Sequence, residues 1–430
     1  MRRVEPPVGV APTGVSGGGL ADVLALFRTQ GALTRAEVGE LTGLARSTVN
    51  QRLDVLARLG LLVPGGASRS TGGRPPSRFE FHAGAAVILV AAIGASGMRA
   101  AVCDLSGHVM GERSSSGHVA AGPDEVLGRV DRAFDELLAA QGRKASEVAA
   151  VGVSVPGPVE HATGRVVSPP IMTGWDGFDI PGHFTRFASP VLVDNDVNAM
   201  AFGEHRTSHP GARNLLMVKV STGVGAGIIA NGSLLRGEQG AAGDIGHIPL
   251  RMPDVDREPD CVCGNRGCAE AYAGGWALLR DLREAGRPVG DLDALVALIR
   301  GGDPVAVQLA RRSSRILGEV IADAVSLLNP SVVVLGGRVS DAEEQLLAGI
   351  REMVYQRSLP LATRSLHIVR TRLSDRAAVV GLALLCADEI FSAEQLTRRE
   401  QTLAGSPHRT QPFTTAGRHP AGVTAPAERR

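Results

Sequence analysis

The chain is poor in aromatic side chains, in lysine and in net charge. Aromatic residues make up 3% of its 430 residues, and the formal net charge at pH 7 is +1. A charge this close to zero gives no whole-chain attraction to nucleic acid or to an acidic membrane surface, so any basic surface has to be local. Lysine occurs only at Lys144 and Lys219. We interpret this as the codon usage of a GC-rich genome rather than as a functional feature.

The sequence also lacks a membrane-spanning segment and a signal peptide. Its longest apolar run, residues 85–95, is too short to cross a bilayer and is typical of a buried strand. Residues 1–19 carry two arginines, but no apolar core follows them and proline and glycine interrupt the stretch throughout. We expect a flexible leader at residues 1–19, a cytoplasmic protein and no membrane partner.

Cysteine is scarce, yet three of the five cysteines lie within eight residues, in the stretch CVCGNRGCAE. In a reducing compartment, clustered cysteines favour a metal site over disulfides. Together with the preceding histidine they form a Cys₃His set that suits structural, tetrahedral zinc: His247, Cys261, Cys263 and Cys268. The Cys-x-Cys spacing is closer than that of common zinc knuckles, so on spacing alone a cluster without metal stays open.

Two glycines in the same stretch, Gly264 and Gly267, favour the metal site further. A chain that wraps tightly around one ion needs unusual backbone angles, which glycine adopts most easily. The other two cysteines, Cys103 and Cys386, lie in apolar surroundings and are predicted to be core residues. Structural zinc is therefore the cofactor that the sequence predicts.

Residues 20–82 have the pattern of a small DNA-binding domain. Thr34 followed by Glu37 is the reciprocal capping pattern that begins a helix, and Gly43 interrupts the helical spacing afterwards. A second helix follows, and two short helices joined by a glycine-containing turn form a helix-turn-helix. The second helix exposes side chains suited to base edges and phosphates: Arg46, Ser47, Thr48, Asn50, Gln51 and Arg52.

The end of this domain is predicted to be a β-ribbon, the wing of a winged helix-turn-helix. Its tip, STGGRPP, places Arg74 between flexible glycines and stiff prolines, a shape suited to a minor groove. The alternative is a small helical dimerisation module with a solvated basic loop. Because the cap, the turn, the polar helix and the basic wing agree, we favour double-stranded DNA as the partner.

Residues 83–393 alternate between strand and helix patterns. Strands at residues 87–93 and 99–104 flank a glycine turn, and a long helix at residues 304–328 ends before Asn329-Pro330, ahead of a buried strand. This order predicts an α/β fold with two similar lobes. Residues 394–430 have little apolar content and are predicted to be a disordered tail.

Several motifs of this region resemble the signature of the ROK family, whose name joins repressors, open reading frames and sugar kinases. The resemblance rests on GDIGH with CVCGNRGCAE, and on SVPGPV, VDNDVNAMAFGE, STGVGAGI and NPSVVVLGG. It covers roughly residues 83–390 and implies the two-lobed fold of the sugar kinase, actin and Hsp70 superfamily. The segment STGGRPP after a helix-turn-helix is similar to the linker of ROK transcriptional regulators rather than that of the free-standing kinases.

The resemblance also implies roles for single residues. In the family, the corresponding histidine and cysteines bind zinc, and the loop that they form closes one side of a sugar site. Residues that would hold sugar hydroxyls, by position, are Asn195, Asp196, Asp244, His247 and Glu270. Asp244 stands where the family usually has glutamate, and Asp196 matches the general base of the kinases.

One motif departs from the family pattern. The first phosphate loop of active members reads approximately Asp-x-Gly-Gly-Thr, and here Ala92 takes the place of the aspartate. Because phosphoryl transfer depends on positioning and charge neutralisation, this loss predicts a non-catalytic domain that uses neither ATP nor magnesium. The remnants of the nucleotide loops are Gly94, Ser96, Gly223, Gly225, Gly336 and Gly337.

The combined prediction is a sugar-responsive DNA-binding transcriptional regulator, a repressor by family analogy. Its predicted partners are a double-stranded DNA operator, a sugar or sugar phosphate, and at least one further copy of the chain. The first alternative is an active ATP-dependent sugar kinase that carries a DNA-binding head, favoured by Asp196 and the second glycine loop. The second is a regulator that ignores sugars and acts through a protein partner.

Overall fold

The computed structural model describes residues 18–65, 77–251, 258–342 and 344–404. These residues form an N-terminal winged helix-turn-helix, two α/β lobes and a C-terminal helical arm. The predicted leader up to residue 17, the wing tip with Arg74 and the predicted tail beyond residue 404 lie outside the described residues.

The N-terminal domain has the predicted helix-turn-helix. The hydroxyl of Thr34 accepts a hydrogen bond from the Glu37 backbone N–H at 3.2 Å, and the Glu37 carboxylate accepts one from the Thr34 N–H at 2.6 Å, which confirms the predicted cap. Gly43 ends that helix in the left-handed conformation, at φ 69°. The elements are α1 (Leu20–Gln30), β1 (Leu33–Thr34), α2 (Arg35–Thr42), α3 (Arg46–Arg58), β2 (Leu62–Gly65) and β3 (Arg78–Phe81).

The predicted wing is an antiparallel sheet in the order β1-β3-β2. Leu62 pairs with Phe81, and Leu33 of the short first strand pairs with Phe79. The sheet thus joins the start of the helix-turn-helix to both strands of the wing.

The first lobe contains a five-stranded sheet with helices beside it. Its strand order is β10-β7-β4-β5-β6, in which β10, β7 and β4 are parallel and the other pairs antiparallel. The elements are β4 (Val87–Ile93), β5 (Gly97–Asp104), β6 (Val109–Ser116), α4 (Pro123–Ala140), β7 (Val148–Val155), β8 (Val159–Glu160), β9 (Arg165–Val166), α5 (Ile180–His183) and β10 (Val191–Asn195). The helix that follows, α6 (Asp196–Ser208), packs chiefly on the sheet of the second lobe.

The second lobe repeats this plan. Its sheet has the order β13-β12-β11-β14-β15, again with one parallel half and one antiparallel half. The elements are β11 (Leu215–Val220), β12 (Val224–Ala230), β13 (Ser233–Leu235), α7 (Ala269–Ala273), α8 (Gly275–Glu284), α9 (Leu292–Arg300), α10 (Pro304–Leu328), β14 (Val332–Gly336), α11 (Glu344–Arg357), α12 (Pro360–Thr363) and β15 (His367–Arg370).

Both sheets therefore follow one topology, a three-strand meander continued by two parallel strands, and the prediction of two similar lobes is confirmed. The carboxyl ends of parallel strands are where α/β sheets bind ligands. In both lobes these ends open into the same cleft, because the residues that follow the parallel strands line it: Gly94, Pro156, Asp196, Ser221, Gly337 and Thr371.

Two further helices, α13 (Ala377–Ile390) and α14 (Ala393–Ala404), complete the described chain. α13 packs against the first lobe and crosses α6 at very close range. A Cβ atom on Gly381 would lie 1.8 Å from the backbone oxygen of Ala199, and one on Gly203 would lie 2.5 Å from the backbone oxygen of Ala377. Only glycine allows the two helix backbones to approach this closely.

The expectation of a disordered tail from residue 394 is wrong for the part that forms α14. Leu396 and Leu403, one helical heptad apart, are buried in the same apolar core as Leu24 of α1. The low apolar content of the segment hid this apolar face of the helix from sequence analysis. Two leucines are enough to anchor α14 here, because the N-terminal domain covers them. Arg52 is less open than predicted, because its guanidinium lies 3.5 Å from the Glu400 carboxylate of α14 and its side chain is only partly exposed.

None of the described helices combines the length and the apolar character needed to cross a membrane. Cys103 and Cys386 are buried among apolar side chains, as predicted.

We expect Gly381→Ala to destabilise the protein, because the new methyl group would overlap the backbone of α6. Overpacking of this kind costs about 1–3 kcal/mol, measurable as a lower melting temperature and urea midpoint. Gly128→Ala in α4 is the matched control, since its Cβ would have its nearest neighbour, an Arg132 nitrogen, at 3.9 Å. The close-packing interpretation fails if both variants melt at the wild-type temperature.

Candidate functional site

The cleft between the lobes has a volume of about 1170 Å³ and is lined by both sheets. All five residues predicted to hold sugar hydroxyls line it: Asn195, Asp196, Asp244, His247 and Glu270. The structure thus brings together side chains that are up to 75 residues apart in the sequence. Their role in binding a sugar stays a prediction.

Asn195 and Asp196 stand where β10 passes into α6. The Asn195 side-chain oxygen accepts a hydrogen bond from the Val197 N–H at 2.9 Å and caps the helix, while its amide nitrogen donates to the Gly157 carbonyl at 3.1 Å. These two bonds fix the orientation of the carboxamide and leave one amide hydrogen for a ligand. Asp196, the first residue of α6, is 5% exposed.

Lys219 is a cleft residue that sequence reasoning missed. Its ammonium, carried by β11 of the second lobe, forms an ion pair with the Asp196 carboxylate. The sequence feature that could have identified Lys219 is its rarity, since it is one of only two lysines in the chain. Codon usage alone does not explain why a lysine is kept at this position. The contact places a fixed positive charge directly on the residue that matches the kinase base.

A second ion pair also joins the two lobes. Asp194, the neighbour of Asn195 on β10, is 2% exposed and lies 2.7 Å from the guanidinium of Arg236, which follows β13. Its other oxygen accepts a hydrogen bond from the Asn198 amide at 2.9 Å. A buried charge needs such partners, so this pair fixes the two sheets relative to each other.

Glu270 in α7 is held from two sides. One carboxylate oxygen accepts a hydrogen bond from the Val224 backbone N–H at 2.8 Å, and the other accepts from the Trp276 indole N–H at 3.0 Å. Trp276 was not predicted. The Glu270 side chain is 7% exposed, and both of its oxygens already accept a hydrogen bond. Its remaining lone pairs therefore face a ligand in a fixed direction.

The four predicted metal ligands converge at the rim of the cleft. The ligand atoms of His247, Cys261, Cys263 and Cys268 all lie within 4.8 Å of one another. The distance is 3.7 Å both from Cys261 Sγ to His247 Nδ1 and from Cys263 Sγ to Cys268 Sγ. Zinc–sulfur bonds in a tetrahedron place sulfur atoms about 3.8 Å apart, so these residues fit a zinc ion.

The cysteines differ in how readily they ionise without metal. Burial raises the pKa of Cys268 to about 12, and its hydrogen bond to Cys263 acts in the same direction. Burial also raises the pKa of Cys261. At Cys263 burial is outweighed by hydrogen bonds from the Asn265 backbone and from the other two thiols, and its pKa is lowered. A cation at the centre would be needed to hold all three as thiolates.

His247 and Asp244 lie on the cleft side of this cluster. The Nδ1 atom of His247 faces the sulfur atoms, which leaves Nε2 for the cleft. Nε2 lies 3.9 Å from an Asp244 oxygen, too far for a hydrogen bond. The Asp244 side chain is 58% exposed, so it is the least fixed of the five predicted sugar contacts.

The remnants of the first nucleotide loop form a tight turn between β4 and β5. The Gly94 N–H donates to the Gly97 carbonyl at 2.8 Å, and Ser96 lines the cleft beside them. Ala92 pairs with Arg99 across the two strands, and the Arg99 guanidinium contacts Asp375 and Glu112.

The remnants of the second nucleotide loop are packed against the protein. Gly225 lies within β12, and a Cβ atom on Gly223 would lie 2.4 Å from the Glu270 carboxylate, whose oxygen already takes the Val224 N–H. Gly336 is packed beneath Met217, while Gly337 lines the cleft at φ 86°.

The exposed face of α3 forms the second candidate site. Arg46, Ser47 and Gln51 are exposed, and Thr48 and Asn50 are partly covered. A shallow groove on this face is lined by Ser47, Asn50, Gln51, Asp54, Ala57 and Arg58. The structure therefore presents the five predicted contacts on the described part of the helix, without Arg52.

Comparison with known proteins gives two family matches. The ROK family profile matches residues 90–389, and the profile of the IclR helix-turn-helix domain matches residues 20–65. The xylose repressor of Caldicellulosiruptor bescii is 27% identical over 381 residues, which cover 84% of this chain and 93% of that protein.

Solved structures agree with this. A ROK family transcriptional regulator, a homologue of the E. coli Mlc protein, has the same fold, with a TM-score of 0.75 and 24% identity over 89% of this chain and 98% of its own. A ROK family glucokinase from Streptomyces griseus, in complex with glucose and AMPPNP, has a TM-score of 0.60 and 28% identity over 70% of this chain and 98% of its own. Because the family profile matches well over half of the sequence, the chain belongs to the ROK family.

Proposed function

We propose that the protein is a sugar-responsive DNA-binding transcriptional regulator that acts as a repressor. The observation that carries the proposal is one chain with a polar ligand cleft and, at its other end, a helix-turn-helix with an exposed polar face. The xylose repressor that matches 84% of the chain supports it.

In this proposal α3 enters the major groove of an operator. Arg46, Ser47 and Gln51 provide the exposed contacts, with Thr48 and Asn50 beside them. Arg74 of the wing reaches the neighbouring minor groove. Two copies of the chain bind two half-sites related by a two-fold axis, so the functional form is at least a dimer.

The effector is a sugar or a sugar phosphate that binds in the cleft. Its hydroxyls donate to the carboxylates of Asp196, Asp244 and Glu270, and the remaining amide hydrogen of Asn195 donates to a hydroxyl oxygen. His247 contributes its Nε2 atom from the zinc loop. A hydroxyl at Asp196 competes with Lys219 or bridges the two, which makes the interlobe ion pair sensitive to the ligand.

Three features support a non-catalytic cleft. Ala92 provides no carboxylate at the first phosphate loop, and the Val224 N–H of the second loop already serves Glu270. Lys219 holds the Asp196 carboxylate in an ion pair, so the carboxylate that a kinase would use as its base is already engaged with a side chain of the protein. The alternative of an active sugar kinase keeps Asp196 as its main support.

Zinc has a structural role in this proposal. The ion would be held by His247, Cys261, Cys263 and Cys268, and would supply a rigid cross-link for the loop that closes the cleft. His247 would then have its ring orientation fixed, since Nδ1 faces the sulfur atoms.

We expect one sugar to raise the melting temperature of the protein without Mg-ATP, because ligand binding stabilises the folded state. The measurement is a thermal-shift panel of pentoses, hexoses, amino sugars and their phosphates. Asp196→Asn should weaken binding of that sugar about tenfold through loss of a charged hydrogen bond, whereas Asp323→Asn on the exposed face of α10 should not. No shift across the panel would favour the regulator that acts through a protein partner.

The same panel with Mg-ATP should release no ADP above the sugar-free rate. Sustained, sugar-dependent ADP release would contradict the non-catalytic cleft and establish the kinase alternative.

We expect Cys263→Ser to lose bound zinc, because it removes one of four ligands and the thiol with the lowered pKa. Zinc content per chain, measured by mass spectrometry, should fall well below that of wild type, together with the sugar response. Cys103→Ala, at a buried cysteine outside the cluster, is the control and should keep the metal. A Cys263→Ser protein with full zinc content and full sugar response would refute the assignment.

Arg46→Ala should weaken operator binding about tenfold, the effect of losing one good base or phosphate contact. Fluorescence anisotropy on a duplex selected by the wild-type protein measures it. Arg132→Ala removes the same charge from an exposed position on α4 and should leave affinity unchanged. Equal losses in both variants would mean that α3 is not the recognition helix.

A further inference from the structure

Two helices lead away from the cleft as one unit. α6 and α13 cross at Gly203 and Gly381 with their backbones in contact. At this crossing no side chain lies between the two helices, so no side chain can change rotamer to allow a shift. Sliding one helix past the other would therefore make backbone atoms overlap. A force on either helix therefore moves both.

The amino-terminal ends of both helices lie at the cleft. Asp196 begins α6, and Asp375, just before α13, lines the same cleft. Glu204 of α6 is fully buried, and its carboxylate accepts hydrogen bonds from the Thr371 hydroxyl and from the Leu373 N–H, the latter at 2.9 Å. α6 thus holds the segment that leads into α13, and a ligand that closes the lobes acts on both helices.

Asp388 stands at the other end of α13 and bridges two arginines. One carboxylate oxygen lies 3.2 Å from the guanidinium of Arg28, in α1 of the DNA-binding domain. The other oxygen lies 2.9 Å from the guanidinium of Arg206, near the end of α6. One carboxylate therefore joins all three helices.

The contact is enclosed on the Arg28 side, whereas the Asp388 side chain is 35% exposed. The Arg28 side chain is 17% exposed, and its guanidinium lies 4.8 Å from the centre of the Phe391 ring, just beyond α13. Phe391 in turn meets Phe81 of the wing strand β3 edge to face, at 5.6 Å. Burial lowers the pKa of Arg28, and the Asp388 charge opposes that shift. Removing the Asp388 charge would leave the buried Arg28 guanidinium without this partner, which costs more than the loss of a surface pair.

We propose that Asp388 couples the cleft to the DNA-binding domain: it transmits movement of the paired helices α6 and α13 to Arg28, and through α1 to α3. α1 and α3 share one core, with Leu24 of α1 and Leu53 of α3 both fully buried in it. The inference rests on the proposed function, since it names how the sugar site regulates operator binding. Coupling of this kind is reciprocal, so operator binding also changes sugar affinity.

The test compares wild type with Asp388→Asn, which keeps the shape and removes the charge. We expect sugar affinity, and operator affinity without sugar, to stay within about threefold of wild type. The ratio of operator dissociation constants with and without the sugar selected in the thermal-shift panel should shrink about fivefold or more, the size of a typical allosteric coupling. Asp388→Glu should restore part of it, and Asp323→Asn should retain all of it.

A second measurement does not depend on finding the sugar. Hydrogen exchange of the free protein should show α1 amides about tenfold less protected in Asp388→Asn, because α1 loses its charged link to α13. Arg206→Gln, which removes the α6 side of the bridge, should lower the sugar response while leaving α1 protected. It also serves as the second variant should Asp388→Asn fail to fold.

The outcomes separate the two ideas. Wild-type protein that binds neither sugar nor DNA would overturn the proposed function, and exchange in α1 would still decide whether Asp388 holds the domain. Wild-type protein that responds to sugar, with an equal response in Asp388→Asn and unchanged exchange in α1, would overturn the inference.

Discussion

The contact between the backbones of α6 and α13 is the constraint on which the other parts of the structure depend. It is possible only because Gly203 and Gly381 face each other's helices. Because α13 packs on β4 and β7 of the first lobe and α6 packs on β11 and β12 of the second, this contact joins the two lobes. The residues that continue α13 pack against the N-terminal domain. Leu396 and Leu403 of α14 share a core with α1, so the DNA-binding domain is packed onto the lobes rather than tethered to them.

The cleft is organised before any ligand arrives. Asn195 is fixed by its own helix cap, Glu270 by the Val224 N–H and the Trp276 indole, and Asp196 by Lys219. Prior bonding of this sort lowers the entropy lost on binding.

Several features were predictable because they depend on nearby residues. The cap at Thr34 and Glu37, the end of the helix before Asn329, and the alternation that gives two α/β lobes follow from local hydrogen bonding and periodicity. The cysteine cluster was visible because its ligands lie close in sequence. The resemblance to the ROK family extended this to side chains that are distant in sequence, such as Asn195 and Glu270.

The sequence by itself thus determined the order of domains, the identity of the elements and the set of polar residues available for a site. The tertiary structure alone decided which of them meet. The sequence places Arg52 on the polar face of its helix, and only the tertiary structure shows that Glu400 of α14 pairs with it. Lys219 reaches Asp196, and Asp388 reaches Arg28 across 360 residues. Such ion pairs depend on how the two lobes and the C-terminal helices pack together. Local sequence propensities do not predict contacts between residues so far apart in the chain.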